Sequence, residues 1–98
     1  MDKEQVIRIL REKRPALARF HVRSLSVFGS VVRGEAGPDS DIDILVEFEP
    51  GARVGLFHFA RLQRFLQETL GREVDLATPK ALHKSLKNDI LEEAVHAF

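Results

Sequence analysis

Two aspartates, Asp41 and Asp43, lie in a segment that otherwise has the composition of a buried β-strand. Ile42, Ile44 and Val46 share one face of an extended chain there, and the two aspartates share the other. At about 6 Å and an effective dielectric near 20, two carboxylates repel by roughly 3 kcal/mol, less where water and salt screen them. Aspartate is also a poor strand former. A divalent cation turns this repulsion into attraction, and hard oxygen ligands suit Mg²⁺.

The Asp-x-Asp pattern also has a purely structural explanation. Asp41 could cap the turn formed with Asp39 and Ser40, and Asp43 could simply face solvent. Because the pattern is short and recurs by chance, both interpretations stay open on these residues alone.

A third aspartate, Asp75, lies between Val74 and Leu76 in another short apolar segment. It could face solvent or pair with a nearby arginine such as Arg72. Alternatively, it could complete a two-metal site or accept the proton of an attacking hydroxyl.

A predicted strand, Leu25–Phe28, stops at Gly29-Ser30 before a predicted short helix. Glycine lets a phosphate approach the backbone closely, and the following N–H groups with the Ser30 hydroxyl can hold its oxygens. Arg33 is one turn further along and could bind the same phosphates. The structural alternative is an ordinary turn in which Ser30 caps the helix and Arg33 lies on the surface.

The rest of the chain predicts an α/β (α+β) fold of order α-β-(α)-β-α-β-α, with a small mixed sheet of about three strands packed with helices. Asp2 and Gln5 form a capping-box pattern, and Pro15 ends or kinks the first helix. The predicted segments are the strands Leu25–Phe28, Asp41–Phe48 and Val74–Leu76; helices at 30–36 and Leu56–Leu70, the latter ended by Gly71; an irregular stretch at 16–23; and a last helix opened by Thr78-Pro79 and buried through Leu82, Leu86, Ile90 and Ala94.

Composition narrows the classes of protein. With 98 residues we expect a single domain spanning residues 1–98. Fifteen basic and fifteen acidic side chains cancel, so general nucleic-acid binding is not expected. The absence of cysteine excludes disulfides and fits a cytoplasmic protein. The polar N-terminus and the lack of a long apolar run predict neither a secretory signal nor a membrane span.

Taken together, the motifs resemble a known family. Gly29-Ser30, ten intervening residues, Asp41-Ile42-Asp43 and the later Asp75 match the signature of the DNA polymerase β-like nucleotidyltransferase superfamily. The longer stretch from Leu25 to Leu76 resembles its minimal nucleotidyltransferase (MNT) group, and the resemblance covers nearly the whole chain.

The resemblance implies a role for each motif residue. Asp41 and Asp43 would bind Mg²⁺, and Asp75 would complete a two-metal site facing the acceptor. Gly29 and Ser30 would hold the β- and γ-phosphates of ATP, and the α-phosphorus would undergo in-line attack with loss of pyrophosphate. Arg33 is a further candidate phosphate contact.

The family also suggests a partner. MNT proteins are commonly paired with a HEPN-domain ribonuclease toxin, so the resemblance implies an antitoxin that adenylylates this toxin and associates with it. Two alternatives stay open. One is an antitoxin that masks its partner by binding alone, for example through apolar residues of the last helix such as Val95 and Phe98, although apolar residues at a helix end are more often part of the core. The other is nucleotidyl transfer to RNA or a small molecule, which the neutral charge and short chain disfavour.

Overall fold

The apolar side chains pack on one mixed sheet in the computed structural model, which describes residues 1–98. Its strands are β1 (Val22–Phe28), β2 (Ile42–Phe48), β3 (Val74–Ala77) and β4 (Val95–His96). They are arranged in the order β3-β2-β1-β4. β1 is antiparallel to both β2 and β4, and β2 is parallel to β3. The predicted fold class is confirmed, with four strands instead of about three.

Five α-helices and one short 3₁₀ turn connect and cover these strands. They are α1 (Lys3–Glu12), α2 (Arg14–Ala18), α3 (Ser30–Arg33), α4 (Leu56–Leu70), the 3₁₀ turn Pro79–Ala81 and α5 (Lys84–Glu93). The predicted capping box at α1 is present: Asp2 accepts a bond from the Gln5 backbone N–H and donates its own N–H to the Gln5 side chain, each at 2.9 Å. Gly71, at φ 66°, ends α4 in the left-handed conformation, as predicted.

The core lies between the sheet and two helices. Alternate residues of β2, Ile42, Ile44 and Val46, are buried on one face, which leaves Asp43 on the other. The helices contribute residues spaced three and four apart, Val6, Ile7 and Leu10 from α1 and Leu62, Leu66 and Leu70 from α4. This face is therefore fully covered before α5 begins.

Four predicted boundaries near the site are wrong. The stretch expected to be irregular contains α2, because Pro15 fits the first turn of a new helix. β1 begins at Val22 instead of Leu25. α3 ends at Arg33, since Gly34 adopts a left-handed conformation at φ 74°. Asp41 precedes β2 instead of lying within it, so the preceding turn helps to set its position.

The C-terminal segment differs most from expectation. Pro79 opens only the 3₁₀ turn, and α5 starts at Lys84 after an extended residue, Leu82. The predicted buried stripe Leu82, Leu86, Ile90 and Ala94 is wrong: α5 buries no residue, and Leu86 is 54% exposed. The reason is that α1 and α4 already occupy the apolar face of the sheet.

The last residues form strand β4, which the sequence pattern did not indicate. Val95 and Phe98 pack against the core, and the Arg14 guanidinium lies 5.0 Å from the Phe98 ring centre. Of the two interpretations of these residues, packing against the core is therefore confirmed and the exposed docking role is wrong. No helix of the chain is both long and apolar enough to cross a membrane.

Two leucines of α4 test where the core lies. Leu66 is fully buried and Leu56 is 80% exposed. We expect Leu66→Ala to lower the free energy of unfolding by about 2–5 kcal/mol, because it leaves a cavity. Leu56→Ala should change it by no more than about 0.5 kcal/mol. Urea denaturation of both variants measures the difference, and equal losses would contradict the assigned core.

Candidate active site

One row of the sheet brings the motif residues together. Phe28, Asp43 and Asp75 occupy the same register on β1, β2 and β3. Since β2 and β3 are parallel, Asp43 and Asp75 are direct neighbours and point to the same face. Asp41 comes two residues before Asp43, is exposed, and lies near enough for its charge to act on that carboxyl. The structure therefore gathers all three predicted carboxylates at one edge.

Gly29 is fitted against Asp43. Its φ of 75° falls in the left-handed region that favours glycine. A Cβ atom built on Gly29 would collide with Asp43 Oδ2 and lie 2.9 Å from Cγ. The residue must therefore be glycine for the carboxylate to lie against the backbone here.

The segment Phe28–Val31, called the glycine turn below, offers open hydrogen-bond donors. α3 begins at Ser30, so the N–H groups of Ser30 and Val31 precede the hydrogen bonds of the helix. Neither group donates to another protein atom. Backbone donors at such a turn suit the oxygens of a phosphate. The predicted pair, Gly29 and Ser30, is thus placed directly beside the aspartates.

Arg33 is already engaged by carboxylates. Its Nη1 donates to Glu93 at 2.7 Å and its Nε to Glu35 at 3.1 Å. These hydrogen bonds, with that to Glu93 the larger effect, raise the pKa of the guanidinium above its ordinary value. The predicted phosphate contact would therefore have to release two partners.

Arg72 positions the turn before Asp41, a role that sequence reasoning missed. Its Nη2 donates to the carbonyls of Gly37 at 2.8 Å and Ser40 at 2.6 Å. The Ser40 hydroxyl in turn accepts the Gly37 N–H at 2.9 Å. Arg72 was a candidate partner for Asp75, and no local pattern distinguishes that role from the one observed.

The carboxylates act strongly on one another. Partial burial, followed by the charges of Asp75 and Asp41, raises the pKa of Asp43 to about 6. Arg33 opposes this shift, but only in part. A cation placed among the three carboxylates would relieve the same repulsion.

The donor set fits a hard divalent cation held partly by a substrate. No group of three or more His, Cys, Asp or Glu side chains forms a ready-made metal cage. Mg²⁺ usually takes one or two carboxylates, keeps several waters and shares the phosphates of its substrate. Asp41 and Asp43, next to the open donors of the glycine turn, offer that combination.

The sequence matches one known family along almost its whole length. The nucleotidyltransferase domain family matches residues 3–96. A Methanocaldococcus jannaschii protein, provisionally named a protein adenylyltransferase, is 47% identical over 81 residues, covering 83% of this chain and 85% of that protein. The protein adenylyltransferase MntA of Thermococcus cleftensis is 43% identical over 84 residues, covering 86% and 83%.

Solved structures share the fold. One provisionally described as a minimal nucleotidyltransferase superposes with a TM-score of 0.77 at 43% identity, covering 97% of this chain and 95% of that one. A chain from the Shewanella oneidensis complex of a tri-AMPylated HEPN toxin with an MNT antitoxin gives a TM-score of 0.59 at 20% identity, covering 97% and 67%. At that identity the second likeness shows the fold alone.

Comparing Gly29 with Gly34 distinguishes the stability effect of the Asp43 contact from that of backbone strain. Gly29 and Gly34 have φ values of 75° and 74°, but only Gly29 faces a neighbouring side chain. Alanine at either position should cost about 1–2 kcal/mol for the left-handed conformation. We expect Gly29→Ala to cost clearly more, because Asp43 must also move. Equal losses in chemical denaturation would show that the Asp43 contact is unimportant.

The raised pKa of Asp43 predicts a pH-dependent stability without metal. The folded carboxyl holds its proton up to about pH 6, whereas the ordinary value is 3.8. The folded state therefore binds the proton more tightly, so the cost of ionising Asp43 is present in full above pH 6 and is relieved as the pH falls below it.

Asp43→Asn mimics the protonated state and isolates this effect. In buffer containing EDTA, the variant should have a higher melting temperature than the parent at pH 7.5. The difference should shrink as the pH falls through 6 and close near the ordinary pKa of 3.8. The exposed Glu12→Gln on α1 is the charge-matched control and should show no such gap. A gap that stays constant with pH would contradict the prediction.

Proposed function

The chain belongs to the nucleotidyltransferase domain family, and we propose that it transfers AMP from ATP to a protein partner of the HEPN toxin class, and so acts as an antitoxin. The observation that carries the proposal is the shared register of Asp43 and Asp75 beside the glycine turn. In this row, carboxylates that could bind a metal lie next to unpaired N–H groups that could bind phosphate oxygens. Transfer of a nucleotide requires both.

The glycine turn and each of the three aspartates have separate proposed roles. The glycine turn holds the β- and γ-phosphates through the N–H groups of Ser30 and Val31 and the Ser30 hydroxyl, and Gly29 lets them approach the backbone closely. Asp41 and Asp43 would hold Mg²⁺, and Asp75 would complete a two-metal site; when bound, the metal neutralises charge on the triphosphate and aligns the α-phosphorus. Asp75 is exposed on β3 beside Asp43, so its carboxylate is accessible to an acceptor and is assigned to accept the proton of the acceptor's hydroxyl. No covalent intermediate with the protein is needed.

Arg33 has a smaller part in this scheme than the sequence predicts. Because Glu93 and Glu35 occupy its guanidinium, we assign the phosphates to the backbone donors of the glycine turn.

The choice of AMP and of a protein acceptor follows the relatives. Both curated relatives carry the name of protein adenylyltransferase, one of them provisionally. The Shewanella oneidensis complex couples an MNT antitoxin with an AMPylated HEPN toxin. The exposed apolar residues Leu86 and Leu91 of α5 also favour association with another protein surface.

That apolar surface also supports the alternative of masking the toxin by binding alone. Masking needs no carboxylate row, however, and transfer does. The two functions therefore differ in their response to loss of Asp43. Transfer to RNA or a small molecule would instead show as label on those acceptors.

Transfer can be measured with ATP labelled at the α-phosphate and a candidate HEPN toxin from the same organism. We expect label on the toxin, and Asp43→Asn or Asp75→Asn should reduce the rate roughly 100-fold or more, because the charge that organises the site is lost. Label at the γ-phosphate should not transfer.

The same variants separate catalysis from masking. Asp43→Asn should still bind the toxin but should not restore growth of cells that express it. The exposed Glu12→Gln serves as the matched control and should behave like the parent. Full neutralisation by Asp43→Asn would overturn the enzymatic proposal in favour of masking.

A further inference from the structure

A carboxylate from the far end of the chain contacts the glycine turn. Glu93, the last residue of α5, accepts the Gly29 backbone N–H at 3.1 Å through Oε2 and a bond from Arg33 Nη1 at 2.7 Å through Oε1. Its side chain is 22% exposed. Both carboxylate oxygens are therefore committed to the turn and to the helix that follows it.

The position of Glu93 is fixed by the sheet and not by its own helix. β4 pairs with β1 so that Val95 lies opposite Val27, and Glu93 precedes Val95 by two residues just as Gly29 follows Val27 by two. Just beyond, the Ala97 N–H donates to the Leu25 carbonyl at 2.8 Å. Although α5 buries no residue, its last residue is held firmly.

The contact with Glu93 leaves free the N–H groups that would bind a phosphate. Glu93 accepts the Gly29 N–H, whereas the N–H groups of Ser30 and Val31 have no acceptor. Its negative charge is balanced by Arg33, which also contacts Glu35. This ion pair reduces the repulsion that Glu93 would exert on an anion bound at the turn.

We propose that Glu93 is a positioning residue that holds the glycine turn in its phosphate-binding conformation and keeps Arg33 on the side of the turn toward α5. This inference rests on the proposed function of the turn. The Gly29 backbone at φ 75° is fixed on one side by Asp43, which permits no side chain, and on the other by Glu93. The two carboxylates together set where Ser30 and Val31 present their N–H groups.

Two substitutions at Glu93 test the proposal against a neighbouring control. Glu93→Gln keeps an acceptor for the Gly29 N–H but loses the charge that holds Arg33, and Glu93→Ala loses both. Glu92→Gln, on the exposed side of α5, makes the same change in charge next door. Transfer of label from ATP to the HEPN toxin is measured at varied ATP, with melting temperature as a check on folding.

We expect the KM for ATP to rise about tenfold in Glu93→Ala, with a smaller change in kcat and an intermediate effect in Glu93→Gln. Glu92→Gln should match the parent. Faster transfer or a lower KM in Glu93→Ala would overturn the proposal and make Glu93 a competitor of the phosphates. Parent-like kinetics in Glu93→Ala would overturn it as well.

A second measurement does not depend on transfer. Hydrogen exchange at the Gly29 amide, without nucleotide, should speed up in Glu93→Ala and stay slow in Glu92→Gln. If the parent transfers no label yet this exchange difference is seen, the proposed function fails while the hold of Glu93 on the turn stands. Unchanged exchange in Glu93→Ala overturns the positioning role directly.

Discussion

Repulsion between Asp43 and Asp75 is the constraint on which the rest of the site depends. Parallel pairing of β2 and β3 places the two carboxylates side by side, and partial burial followed by the Asp75 charge raises the pKa of Asp43 to about 6. A chain selected for stability alone gains nothing from this arrangement. The surrounding structure accommodates this arrangement. Gly29 has no Cβ that would collide with Asp43, and the buried isoleucines of β2 hold the strand in register.

Two supports reach the site from distant parts of the sequence. Arg72, just after α4, ties down the turn before Asp41 through two carbonyl groups. Glu93, at the end of α5, binds the glycine turn from the other side. The groups proposed to bind phosphate and metal, from Gly29 to Asp43, are therefore close in sequence, whereas the groups that orient them are not. Such supporting contacts commonly decide how well a site is preorganised.

Much of this could be predicted from the sequence, for physical reasons. Three features depend on local geometry alone: the capping box at Asp2, the buried stripe of α4 and the glycine that ends this helix. The sequence pattern was therefore enough to predict them. The sequence also singled out Gly29-Ser30 and the aspartates, because these residue types stabilise the fold poorly at such positions, and the structure brings them together; their chemical roles stay predictions. The exposure of α5 could not be predicted, because its amphipathic spacing gives no sign that α1 and α4 already cover the apolar face of the sheet. β4 has only two residues, and its pairing with β1 is set by tertiary contact.

The most direct test of the site is where a nucleotide–metal complex binds. Mn²⁺ with ATP, added to isotope-labelled protein, broadens the amide signals of nearby residues because the ion is paramagnetic. We expect the broadening to centre on three neighbouring segments: Gly29–Val31 after β1, Asp41–Asp43 at the start of β2, and Asp75 in β3. Asp43→Asn should abolish it. Broadening centred elsewhere on the sheet, or unchanged in Asp43→Asn, would contradict the assignment of this row as the nucleotide and metal site.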